Sequence, residues 1–436
     1  MLSREENELV CRVGPGSPMG AVFRRYWIPA CLSSQLPQKD SDPLRLKLLG
    51  ESLVAFRDTT GAVGLLDEFC PHRRASLALG RVEQCGIRCL YHGWKFGIDG
   101  RIQETPNYSG PTFKERVKAK SYPVHEEAGI VWTYMGPPDK QPPFQRYAFM
   151  NAPATHRTAL RINVRCNYLQ LAEGGFDSSH VGILHSNMAR PGWLSNSFTP
   201  NTDVLNPAAL AVEDNAPELD IEPTDFGFYY SAFRSAGRDE MSRDRTNVRV
   251  VPFIMPSTRI IPSPATDFTV FETPMDDEST STYIIVAGEV PVERSKILTI
   301  LGLDDARYYD ESTCSWLQSW DNNMGQDRSR MSENWSGLGG VQQEDAAMSL
   351  SMGPIVDRTQ EHLVPADLAV VTVRRMLIAA AKALASGEDP TGTRTDLTDV
   401  RAFDRTLTAR SSWKDLCPGH WTRGNTKHGQ KAGEPA

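Results

Sequence analysis

The sequence predicts an α+β protein, with a small all-β domain followed by a larger α+β domain. Three observations predict it. Short β segments separated by turns begin near residue 44 and continue to 135. A Pro-rich boundary, GPPDKQPP (136–143), follows them. Beyond 150, helical segments mix with longer strands such as STYIIVAGEV (281–290).

The 436 residues are enough for two or three domains. Hydrophobic residues make up 40% and charged residues 23%, an ordinary globular composition. The net charge of −7 lacks the basic surface that phosphate backbones require, so no nucleic-acid partner is expected. No apolar run approaches the ~18–20 residues of a membrane span, so no membrane partner is expected either. The N-terminus, MLSREENELVCRVGPGSP, is charged where a signal peptide is apolar. A cytoplasmic chain follows, in which thiols stay reduced and clustered cysteines favour metal over disulfide.

Taken in order, ENELVCRV is a short amphipathic start, and GPGSPMG is a turn without the Gly-x-x-x-x-Gly-Lys of a phosphate loop. LRLKLLG, SLVAFRD and AVGLLDEF read as strands, the last two joined as a hairpin by Thr59-Thr60-Gly61. GIVWTYMG (129–136) is another strand. The stretch 366–387 reads as a packed amphipathic helix, interrupted by Arg374, Arg375 and Lys382, with Pro365 before it and Gly387 at its end. The final twenty residues, rich in Gly, Lys and Pro, read as a tail. There is no internal repeat.

Chemistry concentrates first in residues 70–94, CPHRRASLALGRVEQCGIRCLYHGW. Cys70-Pro71-His72 and Cys89-Leu90-Tyr91-His92 each offer one thiolate and one imidazole, with sixteen residues between His72 and Cys89. A zinc finger pairs cysteines on one arm and histidines on the other. Splitting the ligand types across both arms is the pattern of a Rieske [2Fe–2S] centre, in which two Cys hold one iron and two His the other. A structural zinc site is the alternative. Gly80, Gly86 and Gly93 allow tight turns, and Pro71 stiffens one loop. Cys85 falls outside the ligand pattern and reads as a small buried residue.

A second group follows in NYLQLAEGGFDSSHVGILHS (167–186), where Asp177, His180 and His185 form D-x-x-H-x-x-x-x-H. Two histidines and one carboxylate make the facial triad of non-haem Fe(II) oxygenases. His185 lies five residues beyond His180, about 140° round a regular helix. Both can reach one metal only where the helix ends or distorts, and Gly182 makes that possible.

Together, Cys-x-His, Cys-x-x-His and Asp-x-x-His-x-x-x-x-His resemble the oxygenase component (alpha subunit) of the Rieske non-haem iron aromatic-ring-hydroxylating oxygenases, and within them the phthalate dioxygenase group. The similarity runs through ENELVCRVGPGSPMG, FRRYWIPA, LVAFRDTTGAVGLLDEFCPHRRASL, CLYHGWKF, DSSHVGILHS and AMSLSMGPIVDRTQEHLVPADLAVV, covering residues 1 to 385. It implies an all-β Rieske domain and a helix-grip catalytic domain with an antiparallel sheet. The corresponding divisions are 1–40, packing on the core; 41–145, the Rieske domain; 146–387, the catalytic domain; and 388–436, a C-terminal extension. The cluster resembles the ferredoxin-like, lower-potential type, because the extra cysteine pair of the respiratory proteins is missing.

The resemblance assigns Cys70, His72, Cys89 and His92 to the cluster and His180 and His185 to a mononuclear iron. Asp345 in VQQEDAAMSLSMG is the third iron ligand, with Glu344 beside it as the alternative. Asp177 then becomes a carboxylate bridging His180 to His92 of a neighbouring subunit, which implies a homo-oligomer, a trimer or a dimer of trimers. Oxygen insertion needs two external electrons, and no nucleotide-binding motif is present. A separate NADH-dependent flavin and iron–sulfur reductase is therefore implied, with O2 as co-substrate. For substrate, Arg234 matches a carboxylate-binding arginine of the group, and Ser178 is a hydrogen-bond candidate. No Arg or Lys lies between Pro191 and Phe233, so a substituted benzoate fits better than phthalate itself. Cis-dihydroxylation of an aromatic carboxylate is the leading reading. Monooxygenation, as O- or N-dealkylation, is the alternative, and a Rieske electron carrier without catalysis is the third.

Overall fold

A computed structural model describes residues 1–110, 112–186, 214–235, 245–263, 266–408 and 412–421. The chain opens on the helix Arg4–Cys11, set by a capping box in which Ser3 and Glu6 satisfy each other's backbone N–H groups. The buried residues of this helix, together with those of Pro18–Phe23, pack against the long helix Leu368–Ala385. That helix matches the one read from the sequence at 366–387.

The β segments read from the sequence all form. Leu44–Leu48, Glu51–Arg57, Val63–Asp67 and Ser121–Tyr122 make one antiparallel sheet. The expected hairpin closes because Asp58 accepts the backbone N–H groups of Thr60, Gly61 and Ala62, while Gly61 takes a left-handed φ of 98°. A second small sheet, Arg81–Glu83, Gly86–Arg88, Lys95–Phe96 and Ile102–Glu104, faces the first across Val54, Phe56, Leu66, Leu77, Ile87 and Phe96. Trp27–Leu32, Ile130–Tyr134 and Val124–Glu127 make a third sheet.

Residues from 157 onward build a sheet running Glu218–Pro223, Gly227–Ser235, Arg245–Ile254, Thr258–Pro262, Thr266–Asp276, Ser279–Gly288 and Arg157–Val164. Its central pairings are antiparallel. The strand alternation shows why it is central. Phe228, Tyr230, Ala232, Val251 and Phe253 face the helices, whereas Phe226, Tyr229, Val248 and Val250 face a second core around Trp132, Tyr147 and Phe271. Helices on one face of an antiparallel sheet make the α+β class explicit.

Two expectations change. The segment from 388 is no free tail where it is described. Phe403–Thr408 pairs with Arg245–Ile254, and Leu397, Val400, Ala402 and Trp413 are buried in the second core. FDRTLT carries too little apolar alternation to announce a strand. Cys85 is exposed rather than buried, at a hairpin tip where Gln84 and Cys85 both have positive φ. No helix among the described residues is long and apolar enough to cross a membrane.

Candidate metal centres

The two loops of the small domain are built alike. Cys70 N–H donates to Ala75 C=O and Arg74 N–H to Cys70 C=O. Cys89 N–H likewise donates to Trp94 C=O, and Gly93 N–H to Cys89 C=O. In each loop the fourth residue after the cysteine turns the chain in the left-handed region, Arg74 at φ 62° and Gly93 at 73°. Gly93 does so without steric cost. Arg74 is tethered by an ion pair to Asp67 (3.1 Å) and lies over the Phe69 ring.

Both thiols are buried, and both imidazoles stand half-buried at the rim. The His72 and His92 rings lie 4.5 Å apart, and His72 stacks flat on Trp94, itself anchored by Asn107. Burial, together with the neighbouring Cys89, pushes the Cys70 thiol up to about 11, although backbone N–H groups oppose the rise. His92 Nδ1 is buried without a hydrogen-bond partner. Two buried thiols beside two imidazoles, one with a buried ring nitrogen that lacks a partner, suit a cationic metal cluster.

The second centre begins on the helix Tyr168–Phe176, capped at its start by Asn167. The helix stops at Asp177, whose backbone is extended and whose Oδ1 accepts both the N–H and the hydroxyl of Ser179. The chain then makes a 3-10 turn, His180–Gly182. This break is the distortion required by the five-residue spacing, and it brings the His180 and His185 rings to 5.0 Å. Asp345, on the helix Val341–Ser351, comes in from the other side. Its Oδ1 lies 3.7 Å from His180 Nε2 and 3.1 Å from His185 Nε2. The three residues place ligand atoms within 4.8 Å of one another.

The outer nitrogens separate the two histidines. His180 Nδ1 is 3.5 Å from Asp177 Oδ2, whereas His185 Nδ1 is 2.7 Å from Glu344 Oε2. Glu344 therefore faces away from the shared point that Asp345 faces. Burial disfavours a charged His185, but the Asp345 and Glu344 carboxylates outweigh it and push the imidazole up to about 10. Burial likewise opposes ionisation of Asp177, yet its contacts with His180 and Ser179 hold it down at about 2. Asp345 is also lowered against its burial, by His185, His180 and Arg259. A concentrated negative charge that draws cations inward is what a divalent metal would use. Within this chain, no hydrogen bond among the described residues joins Asp177 to His92.

Arg234 is buried. Its Nη2 donates to the Ser178 carbonyl (2.6 Å) and its Nε to that of Asp214 (3.1 Å), so it braces the Asp177–Ser178 turn. Ser178 is buried beside it. A second arginine, sought between Pro191 and Phe233, comes instead from the neighbouring strand. Arg249 lies close enough to lower the Arg234 pKa further, beyond the larger effect of burial, and pairs with Asp404 at 3.2 Å. Strand register brings Arg249 here, opposite Ala232 and Asp404, and sequence spacing carries no signal of it. Residues 187–213, including Pro191, lie outside the described residues.

Comparisons with known proteins agree with these two centres. Residues 26–123 match the Rieske [2Fe-2S] domain and residues 133–428 the LigXa C-terminal domain like family. The chain is 36% identical to the phthalate 4,5-dioxygenase oxygenase subunit of Pseudomonas putida, covering 95% of this chain and 94% of the relative. It is 35% identical to the 3-chlorobenzoate-3,4-dioxygenase oxygenase subunit of Comamonas testosteroni, covering 95% of each. Identity to a 5,5'-dehydrodivanillate O-demethylase oxygenase subunit from a Sphingobium species is 32%, over 89% of this chain and 83% of the relative. In fold it is similar to a crystal structure of dicamba monooxygenase bound to dicamba, with a TM-score of 0.56 at 18% identity, over 83% of this chain and 98% of that one. By domain match and by identity over nearly its whole length, the chain belongs to the Rieske non-haem iron aromatic-ring-hydroxylating oxygenases, as an oxygenase component of the phthalate dioxygenase-like group.

Proposed function

We propose that the chain cis-dihydroxylates an aromatic carboxylate, such as a substituted benzoate or phthalate, using O2 and electrons from a separate NADH-dependent flavin and iron–sulfur reductase. The observation that carries this reading is two donor sets of different kind on one chain. Two buried thiols stand with two imidazoles, and two other imidazoles converge on one carboxylate. Oxygenase components of the family use a Rieske [2Fe–2S] cluster, a mononuclear non-haem iron and O2. Here Cys70, His72, Cys89 and His92 would hold the cluster, and His180, His185 and Asp345 the iron. Bound there, the two groups supply one-electron transfer and an Fe(II) with open positions for O2.

The remaining work falls to side chains. Asp177, ionised and held by Ser179, stands beside His180 and offers its carboxylate to His92 of a neighbouring copy in a trimer or a dimer of trimers. Arg234, buried, holds the turn that carries Asp177 and, with the half-buried Arg249, puts two cations on neighbouring strands. Asp404 balances one of them. A substrate carboxylate would balance the other, which supports an aromatic acid with one carboxylate next to Ser178. The divisions 1–40, 41–145 and 146–387, with 388–436 as an extension that adds a strand to the catalytic sheet where it is described, and a cytoplasmic setting belong to the same reading. The O-demethylase relative favours one second reading, monooxygenation of an aryl ether.

Metal analysis and coupled turnover test the proposal together. The wild-type chain should load three irons and His180→Ala only two. Benzoates should stimulate NADH oxidation in the presence of a phthalate-type reductase, and only in the wild type. Normal hydroxylation by His180→Ala would end both enzymatic readings.

A further inference from the structure

We infer that Glu344 is a positioning residue that fixes the tautomer and the orientation of His185, an inference that rests on the reading of His185 as an iron ligand. Glu344 Oε2 lies 2.7 Å from His185 Nδ1, and both side chains are almost wholly buried, at 2% and 4% exposure. An ionised carboxylate accepts at that distance, so Nδ1 carries a proton toward Glu344 and Nε2 is the nitrogen that must give up its own proton to bind a metal. Nε2 is the nitrogen 3.1 Å from Asp345 Oδ1. Consecutive residues of one helix thus take the two sides of a single imidazole. Asp345 faces the metal point, and Glu344 sets which nitrogen is presented to it.

Glu344 is itself held. Its Oε1 accepts the Ser336 hydroxyl. Ser336 sits in a loop closed by Asn334, whose side chain accepts Gly337 N–H and donates to the Leu338 carbonyl. Leu338 N–H donates in turn to Ser336 Oγ. Both carboxylate oxygens are therefore engaged before any metal arrives. His180 has no equivalent, because its Nδ1 stands 3.5 Å from a carboxylate that is a quarter exposed, too far for a good hydrogen bond. The two histidines consequently differ, with His185 clamped and His180 adjustable. A buried pair serving packing alone would need neither the open Nε2 nor its aim at Asp345.

The test uses the full-length protein loaded with Fe(II), and reads the rate at which a ferrous chelator removes mononuclear iron and the electron paramagnetic resonance of the ferrous–nitric oxide adduct. The visible absorption of the cluster monitors the fold. Glu344→Gln should lose mononuclear iron about 10–100-fold faster and change the adduct's rhombicity, with the cluster spectrum intact. Glu344→Asp should recover part of both. Iron loss and adduct spectrum identical to wild type in Glu344→Gln would overturn the inference. His185→Ala separates this from the underlying reading: if it retains mononuclear iron normally, His185 is not a ligand and that reading fails first. Should Glu344→Gln lose the cluster as well, Ser336→Ala decides. Faster iron loss supports the role, and an unchanged rate removes it.

Discussion

Gly93 and Arg74 occupy the same place in the two cluster loops and show how one geometry is reached by different residues. An alanine at 93 would carry its Cβ to 3.0 Å from Pro106 Cγ and would sit at a φ of 73°. Gly93→Ala should therefore cost about 1–2 kcal/mol in the loop and lower cluster content, measured as visible absorbance per chain. Arg74→Gly should retain the cluster, because the left-handed turn survives and what is lost is an exposed ion pair to Asp67 and a contact over the Phe69 ring. Equal cluster loss in the two variants would contradict this equivalence. The cluster donors are legible in the sequence because each pair sits within four residues on one loop. Glu344, Arg249 and Asp404 are not, because helix and strand placement decides which nitrogen or guanidinium they meet. Asp345 could be matched only by resemblance, since 160 residues separate it from His185.

At the scale of elements, the helix Tyr168–Phe176, which leads into the His180 turn, is held by a buried charge network. Glu173 on this helix accepts from Arg358 and from Arg374, whose side chains are 0% and 3% exposed, and Arg358 also reaches Asn7 of the first helix. Glu173→Gln leaves the buried Arg358 without a carboxylate partner, while Arg374 keeps Glu361, and should cost about 3–5 kcal/mol in denaturant unfolding. A loss below 1 kcal/mol would show that water reaches the network.

Asp267 tests the contact between the sheet and the C-terminal segment. Burial raises its carboxyl to about 6, against the pull of Arg401 and Arg405. The native state therefore binds this proton more tightly than the unfolded chain, so stability falls as pH rises from about 4 to 6. Asp267→Asn should match wild type near pH 4 and be more stable by on the order of 2 kcal/mol at pH 7.5, seen in parallel chemical melts. A constant difference across pH would refute this linkage. The strands and the 368–385 helix are legible because their apolar periodicity is strong. Strand Phe403–Thr408 is hidden by its polar composition, and the helix break that the five-residue spacing asks for near Gly182 falls earlier, after Phe176, where Asp177 is extended.

At the scale of the whole molecule, each donor set lies beside exposed apolar side chains. Leu90 and Tyr91 flank His92 at 61% and 55% exposure, and Ile183 near His180 is 48% exposed. Surfaces of this kind are expected where copies meet. Leu90→Asp with Tyr91→Glu should reduce the sedimenting species toward the 48.4 kDa chain while both metals remain bound. Assembly of that double variant like wild type would place the contact elsewhere. The family and the division into cluster and catalytic regions were visible in the motifs, but subunit contacts leave no spacing pattern in one chain.

The most direct measurement is a single turnover of the reduced, iron-loaded protein with an aromatic carboxylate under isotopically heavy dioxygen, read by mass spectrometry. The account predicts a cis-dihydrodiol with both heavy oxygen atoms on the ring, and no product from Asp345→Ala. A product carrying one heavy atom, or equal product from Asp345→Ala, would contradict it.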